Sequence, residues 1–266
     1  GGNRVEVLGV HGRAPLAVQD AVLAGSPEGT RRIVLATSVA ESGLTVPGVR
    51  TVVDSGLSRE SRTDHARGLG SLVTVPVSRA SARQRAGRAG REAPGRVLRC
   101  WSRAEHGRLR EFARPEIAVA DLTGFALDVA CWGDPAAEHL PLPDPPPAGA
   151  MAAARTVLRD LGAVDDAGRA TDRGRRVAAV GLHPRWSRAL LDAAPLIGAR
   201  RAAELVAVLS EEPPRAMGDD LAAVCRAARH GAGGDRRDGW VGRWRREADR
   251  LHSLLRRDAT PGRGGP

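Results

Sequence analysis

Short runs of aliphatic and β-branched residues punctuate the N-terminal part of the chain. They are RVEVLGV at 4–10, RRIVLA at 31–36, VRTVV at 49–53, LVTVPV at 72–77 and RVLRCW at 96–101. Each is too short for a stable helix and has the composition of a strand. Between them lie helical segments, one opened by Pro15 and running to 23, another capped by Ser78 and running to 88. Strands alternating with helices argue for βαβ units and a parallel sheet, so the expected fold class is α/β. Parallel sheets are covered on both faces, which accounts for strands that are apolar nearly throughout. The polar stretch 37–45 reads as a loop, and 57–70 as a hairpin or exposed loop. Ligands of such sheets sit at the carboxyl ends of the strands. Phosphate chemistry is therefore expected at Thr37, at Asp54 and on the helix after Val77.

Composition adds less than its size suggests. The formal charge is +10, and every one of the 41 basic residues is Arg. The planar guanidinium fork suits phosphate, and such a balance favours polyanions. The absence of both Lys and Tyr is equally the mark of a compositional bias. The charge is informative only where Arg recurs at fixed spacing. The three cysteines form no C-x-x-C pair and no histidine falls at zinc-ligand spacing beside them, which argues against a disulfide framework or structural zinc. A reducing, cytoplasmic setting fits. No apolar run approaches the roughly 20 residues of a membrane span, and no signal-peptide pattern is present.

The C-terminal half is helical. A helix is expected over 117–132, with Ile117, Leu122, Phe125, Leu127 and Val129 on its buried side. PLPDPPP at 141–147 is a stiff extended linker. After it come a helix at 148–161, two short extended pieces around a turn at 162–169, and a helix capped by Thr171. Helix, hairpin and helix in this order resemble a winged-helix unit. Further helices are expected at 199–209, 221–230 and 240–257, with a flexible gap at 231–239 and a disordered tail from 260. The expected domains are 1–115, a connecting helix and linker at 116–147, a winged helix at 148–195, a helical region at 196–258 and a tail at 259–266.

The octapeptide QRAGRAGR at 84–91 carries the strongest chemical signal. Arg residues three apart, separated by small residues, share one side of a helix end. Glycines let that backbone approach another surface. Such a pair suits a triphosphate whose charge grows during γ-phosphoryl transfer, as arginine fingers do. Gln84 is placed to orient a water or bind a phosphate oxygen.

This octapeptide resembles motif VI of superfamily 2 helicases of the DEAH/RHA class. ATSVAESGLTVPGVRTVVDSG at 36–56 is similar to motif V and its following strand, at matching spacing. The segment 144–185 resembles the winged helix of that class, closest to HrpB-type bacterial ATP-dependent RNA helicases. The resemblance spans roughly residues 3–230, and it implies a RecA-like parallel sheet followed by a winged helix and part of a helical ratchet region. It implies that Gln84, Arg88 and Arg91 contact the γ-phosphate of ATP, and that Asp54 and Gly56 belong to the nucleotide site. It implies that Thr37 and Ser38 hold the nucleic-acid backbone, with His11 and Gly12 as a second backbone contact. The segment 57–74 corresponds to a β-hairpin near the strand's path. Two departures are visible: Ser38 stands where the family has Asn, and Leu23 where many members have an aromatic residue for the adenine.

The sequence holds no G-x-x-x-x-G-K-S/T phosphate loop and no Asp-Glu-x-His box. The resemblance implies that the phosphate cradle and the Mg²⁺ ligands come from a first RecA-like domain, expected to precede Gly1. The chain then reads as the C-terminal part of a 3′-to-5′ RNA helicase, inactive alone, with RNA as partner and DNA as the alternative. Two other functions remain open: a non-enzymatic nucleic-acid binder, and an adaptor with a dead nucleotide site. Asp165 and Asp166 are read as a turn, His183 as a packing residue, and Trp240 and Trp244 as the docking side of an amphipathic helix in preference to a base-stacking platform.

Overall fold

The structure, a computed structural model, describes residues 4–12, 14–43, 45–64, 69–211, 213–230 and 239–258. Two compact units are present, Gly1–Ala120 and Asp121–Pro266. The expected gap at 231–239 and the tail from 260 lie essentially outside the described residues.

In the first unit, β1 (Arg4–Val10) leads through α1 (Leu16–Leu23) to β2 (Thr30–Ala36), and the two strands pair in parallel with Val10 opposite Ala36. Arg32 of β2 fastens this unit. Its Nε donates to Glu6 Oε2 at 2.8 Å and its Nη1 to the Ala21 carbonyl of α1 at 2.6 Å. A single turn of helix, α2 (Val39–Ser42), precedes β3 (Thr51–Asp54). Next come β4 (Leu57–Asp64), β5 (Leu69–Pro76), α3 (Arg79–Gly87), β6 (Arg96–Arg99) and α4 (Arg103–Arg108). Strand β3 pairs in parallel with β6, Asp54 opposite Arg99. The α/β class with parallel strand pairs and flanking helices is as expected.

Three details differ from the sequence reading. The run at 72–77 is not a parallel strand: it lies mostly in β5, antiparallel to β4 with Leu57 opposite Pro76. A short apolar run has no periodicity to say which way its neighbour runs. Second, the parallel strands are not covered on both faces. Val5, Val7, Ile33 and Leu35 share one face and are half exposed or more, as are Val53 and Leu98 on the paired strands β3 and β6. Third, the stretch read as a loop at 37–45 contains α2.

The second unit is helical: α5 (Thr123–Trp132), α6 (Ala148–Asp160), α7 (Asp172–Ala179), α8 (Pro184–Ile197), α9 (Ala199–Ser210), α10 (Leu221–Arg229) and α11 (Trp240–Asp258). The helix expected from 117 starts at Thr123, after a 3₁₀ turn at Glu116–Ala118. Leu122, Leu127 and Val129 are buried as expected, whereas Ile117 and Phe125 are only partly so. Helix α8 was not anticipated; its Pro184 sits in the first turn, where a missing N–H is harmless. Between α6 and α7 the extended pieces shrink to one bridge, Val164 with Ala170. Asp165 closes that turn by accepting from the Arg169 amide at 2.8 Å, so this aspartate is a turn residue. The core gathers Leu190 of α8, Ala203 and Ala207 of α9, and Trp244, Ala248 and Leu251 of α11. Trp240 Nε1 donates to the Glu211 carbonyl and Trp244 Nε1 to the Glu204 carbonyl. Both indoles are thereby buried and satisfied, which removes them as a base-stacking platform. Among the described residues no helix is long and apolar enough to cross a membrane.

Candidate nucleotide and nucleic-acid site

The strand ends create the site. Because Val10 lies opposite Ala36, His11 and Thr37 leave β1 and β2 at the same end. The Thr37 amide donates to the Val10 carbonyl at 3.1 Å and fixes that exit. Thr37, Ser38, His11 and Gly12 are all exposed there. Ser38 stands at the N-cap position of α2, yet its side chain makes no cap bond. The four residues expected to meet a nucleic-acid backbone are thus brought to one edge. Hydroxyls and amides at such an edge suit phosphate oxygens and read no bases.

Helix α3 brings the second group. Ser78 Oγ accepts from the Ser81 amide at 3.1 Å, so the helix begins where the sequence places it. It ends at Gly87, with Arg88 as its C-cap. Gln84, Gly87, Arg88 and Arg91, together with Glu41, line an open crevice of about 400 Å³. The sequence-predicted trio of Gln84, Arg88 and Arg91 therefore converges on one space.

What holds the two arginines there is Glu41 and Thr45. Arg88 Nη2 donates to the Glu41 carbonyl. Arg91 Nη1 donates to Thr45 Oγ1 at 3.0 Å. Glu92 accepts from the Gly48 amide at 3.0 Å. Arg85 Nε donates to Glu41 Oε2 at 3.0 Å. The polar segment after β2 and the end of α3 thus run side by side. One end of that segment is the Thr37 edge and the other carries the guanidinium contacts.

Asp54 and Gly56 are placed differently from the trio. Asp54 is 4% exposed and does not line the crevice. Its Oδ1 accepts from the Gly56 amide at 3.0 Å and from Arg85 Nη1 at 2.9 Å. Its Oδ2 is buried with no hydrogen-bond partner. Gly56 has φ +74°, and a Cβ there would lie 2.7 Å from the Trp101 ring. These two residues shape the turn that follows β3.

Two residues that the sequence reading passed over stand at the centre, Glu41 and Arg85. Arg85 is visible in the octapeptide but drew no role of its own. Glu41 has no local signal; its importance comes from a partner 44 positions away.

The family model for the helicase conserved C-terminal domain matches residues 2–93. The ATP-dependent RNA helicase HrpB of Escherichia coli is 38% identical over 222 residues, which is 83% of this chain and 27% of that protein. Residues 2–93 are a helicase C-terminal domain, and the chain is homologous to DEAH/RHA helicases over most of its length. The splicing-factor RNA helicase prp22 of Schizosaccharomyces pombe is 34% identical over 77% of the chain. The crystal structure of E. coli HrpB, a DEAH/RHA helicase, superposes with a TM-score of 0.82 at 34% identity, covering 99% of this chain and 31% of that one. The first unit therefore has the RecA-like α/β fold of the helicase C-terminal domain. The chain spans 27% of the length of HrpB and 18% of that of prp22.

Proposed function

We propose that the chain is the C-terminal part of an ATP-dependent RNA helicase, supplying arginine fingers and nucleic-acid backbone contacts for ATP-driven movement along a strand. The observation that carries the reading is the convergence of Gln84, Arg88 and Arg91 on one crevice beside Glu41 of α2. Two guanidinium groups and an amide on an open rim fit the outer oxygens of a triphosphate. As charge builds on the transferring phosphoryl group, fixed guanidinium donors stabilise it at no cost of reorganisation. Thr37, Ser38, His11 and Gly12 take the backbone of the RNA, and segment 37–48 joins that edge to the fingers.

Among the described residues no cluster of three or more His, Cys, Asp or Glu is placed to hold a metal ion. In this reading the Mg²⁺ ligands and the phosphate cradle come from a partner RecA-like domain. That ion neutralises β- and γ-phosphate charge when bound. The fingers alone therefore do little, and the isolated chain is expected to release phosphate from ATP negligibly, with or without RNA. The reading extends to the second unit, with residues 148–195 as a winged helix and 196–258 as a ratchet-like region.

The test is Arg88→Ala in the full-length protein. RNA-stimulated phosphate release should fall at least about 10³-fold, the worth of an arginine finger, while RNA affinity is largely kept. A pure nucleic-acid binder would lose affinity instead, with a shallower salt dependence.

A further inference from the structure

Arg85 is the one arginine of the octapeptide that does not line the crevice. Its side chain is largely buried, at 17% exposure, against the 2%-exposed carboxylate of Asp54. Three of its five N–H donors have partners here. Nε goes to Glu41 Oε2 on α2, and Nη1 goes to Asp54 Oδ1 on β3 and to the Leu57 carbonyl at 3.0 Å on β4. One guanidinium on α3 thereby ties three other elements together. Glu41 is gripped twice: its carboxylate takes Arg85, and its main-chain carbonyl takes Arg88 one helical turn further on. Arg88 is thus tied to Glu41, and Glu41 to Arg85.

We propose that Arg85, anchored by Asp54, is a positioning residue for phosphoryl transfer, acting through Glu41 on Arg88, and touching no phosphate itself. The proposal rests on the helicase reading above. The planar fork is essential to it. A lysine ammonium keeps the charge between the two carboxylates but has one nitrogen, and cannot reach Glu41, Asp54 and the Leu57 carbonyl together. Without the fork α2 keeps only the Arg88 bond to the Glu41 carbonyl, and Arg88 wanders from the line of transfer. Misplacement of about 1 Å at a reacting centre costs on the order of 100-fold in rate.

The experiment is a double-mutant cycle in the full-length protein, reading kcat and the KM for ATP of RNA-stimulated hydrolysis together with Tm. Arg85→Lys is expected to stay folded and to lose about 10- to 100-fold in kcat with little change in KM. In an Arg88→Ala background Arg85→Lys is expected to cost almost nothing more, since the two residues act as a unit. Losses that multiply, or an Arg85→Lys enzyme with wild-type kcat, overturn the positioning role while leaving the helicase reading in place. An Arg88→Ala enzyme with wild-type kcat removes the reading and the proposal together. Should Arg85→Lys fail to fold, Glu41→Gln breaks the same ionic tie from its other end, and the same two expectations apply to it.

Discussion

Gly56 holds a left-handed backbone against the face of Trp101. Any side chain there carries two penalties, about 1–2 kcal/mol for the conformation and more for displacing the indole. Gly56→Ala is therefore expected to destabilise the first unit by about 2 kcal/mol or more, seen as a lowered melting temperature. A melting curve unchanged by the substitution would show that the turn relaxes freely. At this scale the sequence was readable where spacing carries the meaning. Gln84, Arg88 and Arg91 announce themselves because small residues separate them at a helical repeat. Glu41 did not, because a lone carboxylate in a polar stretch has no neighbour in sequence to explain it. Gly56 was legible only through the motif V resemblance, and its contact with Trp101 joins positions 45 apart and leaves no local trace.

The elements that carry the site owe their place to their ends. Helix α3 begins at Ser78, 7% exposed, whose hydroxyl satisfies the Ser81 amide. Ser78→Ala should cost about 1 kcal/mol and loosen the first turn, measurable as faster amide exchange at residues 79–82. In the second unit, Asp121 stands before α5 and accepts from the Thr123 amide at 2.7 Å. The His183 imidazole, with Nε2 3.5 Å from Asp121 Oδ2, and the Thr123 amide hold this carboxyl well below the usual carboxylate range. His183 also accepts at Nδ1 from the Arg185 amide, so it caps α8 as a packing residue and not a catalyst. A depressed carboxylate stabilises the fold above its ordinary pKa of about 4, and this gain disappears as pH falls below that value. Asp121→Asn should flatten stability between about pH 4 and pH 2 and cost about 1 kcal/mol near neutrality, solvent screening included. Equal acid limbs in the two denaturation profiles would contradict it. Helices α6, α9, α10 and α11 were legible from their period, whereas the 14-residue α8 was not. The short α2 was not, since one turn has no period, and β5 was misread because its apolar run does not encode antiparallel pairing.

The whole molecule is two units with unlike cores. The first buries small residues for the most part, Val10, Ala14, Val22, Ala82 and Ala89 among them, and leaves Val7, Ile33 and Leu35 half exposed or more. The second packs Leu190, Trp244 and Leu251 into a contiguous apolar cluster. Separate cores unfold separately. Calorimetry of the chain should show two transitions, the first unit melting at the lower temperature, and Gly56→Ala should move only that transition. A single transition shifted as a whole would contradict the division. Fold class was readable in the sequence from alternating strands and helices, but the break at 141–147 lies inside the second unit and does not mark the division after Ala120. The open strand faces were not readable, because an apolar strand looks the same whether or not anything covers it.

The account depends on guanidinium groups that meet a phosphate whose charge is growing. The direct measurement is titration of the full-length protein, with RNA present, by ADP alone and by ADP with aluminium fluoride, which mimics the transferring phosphoryl group. The wild-type protein should bind the second much more tightly than the first. Arg88→Ala and Arg91→Ala should each erase most of that difference while leaving ADP binding nearly unchanged; a difference that survives both substitutions would contradict the finger role.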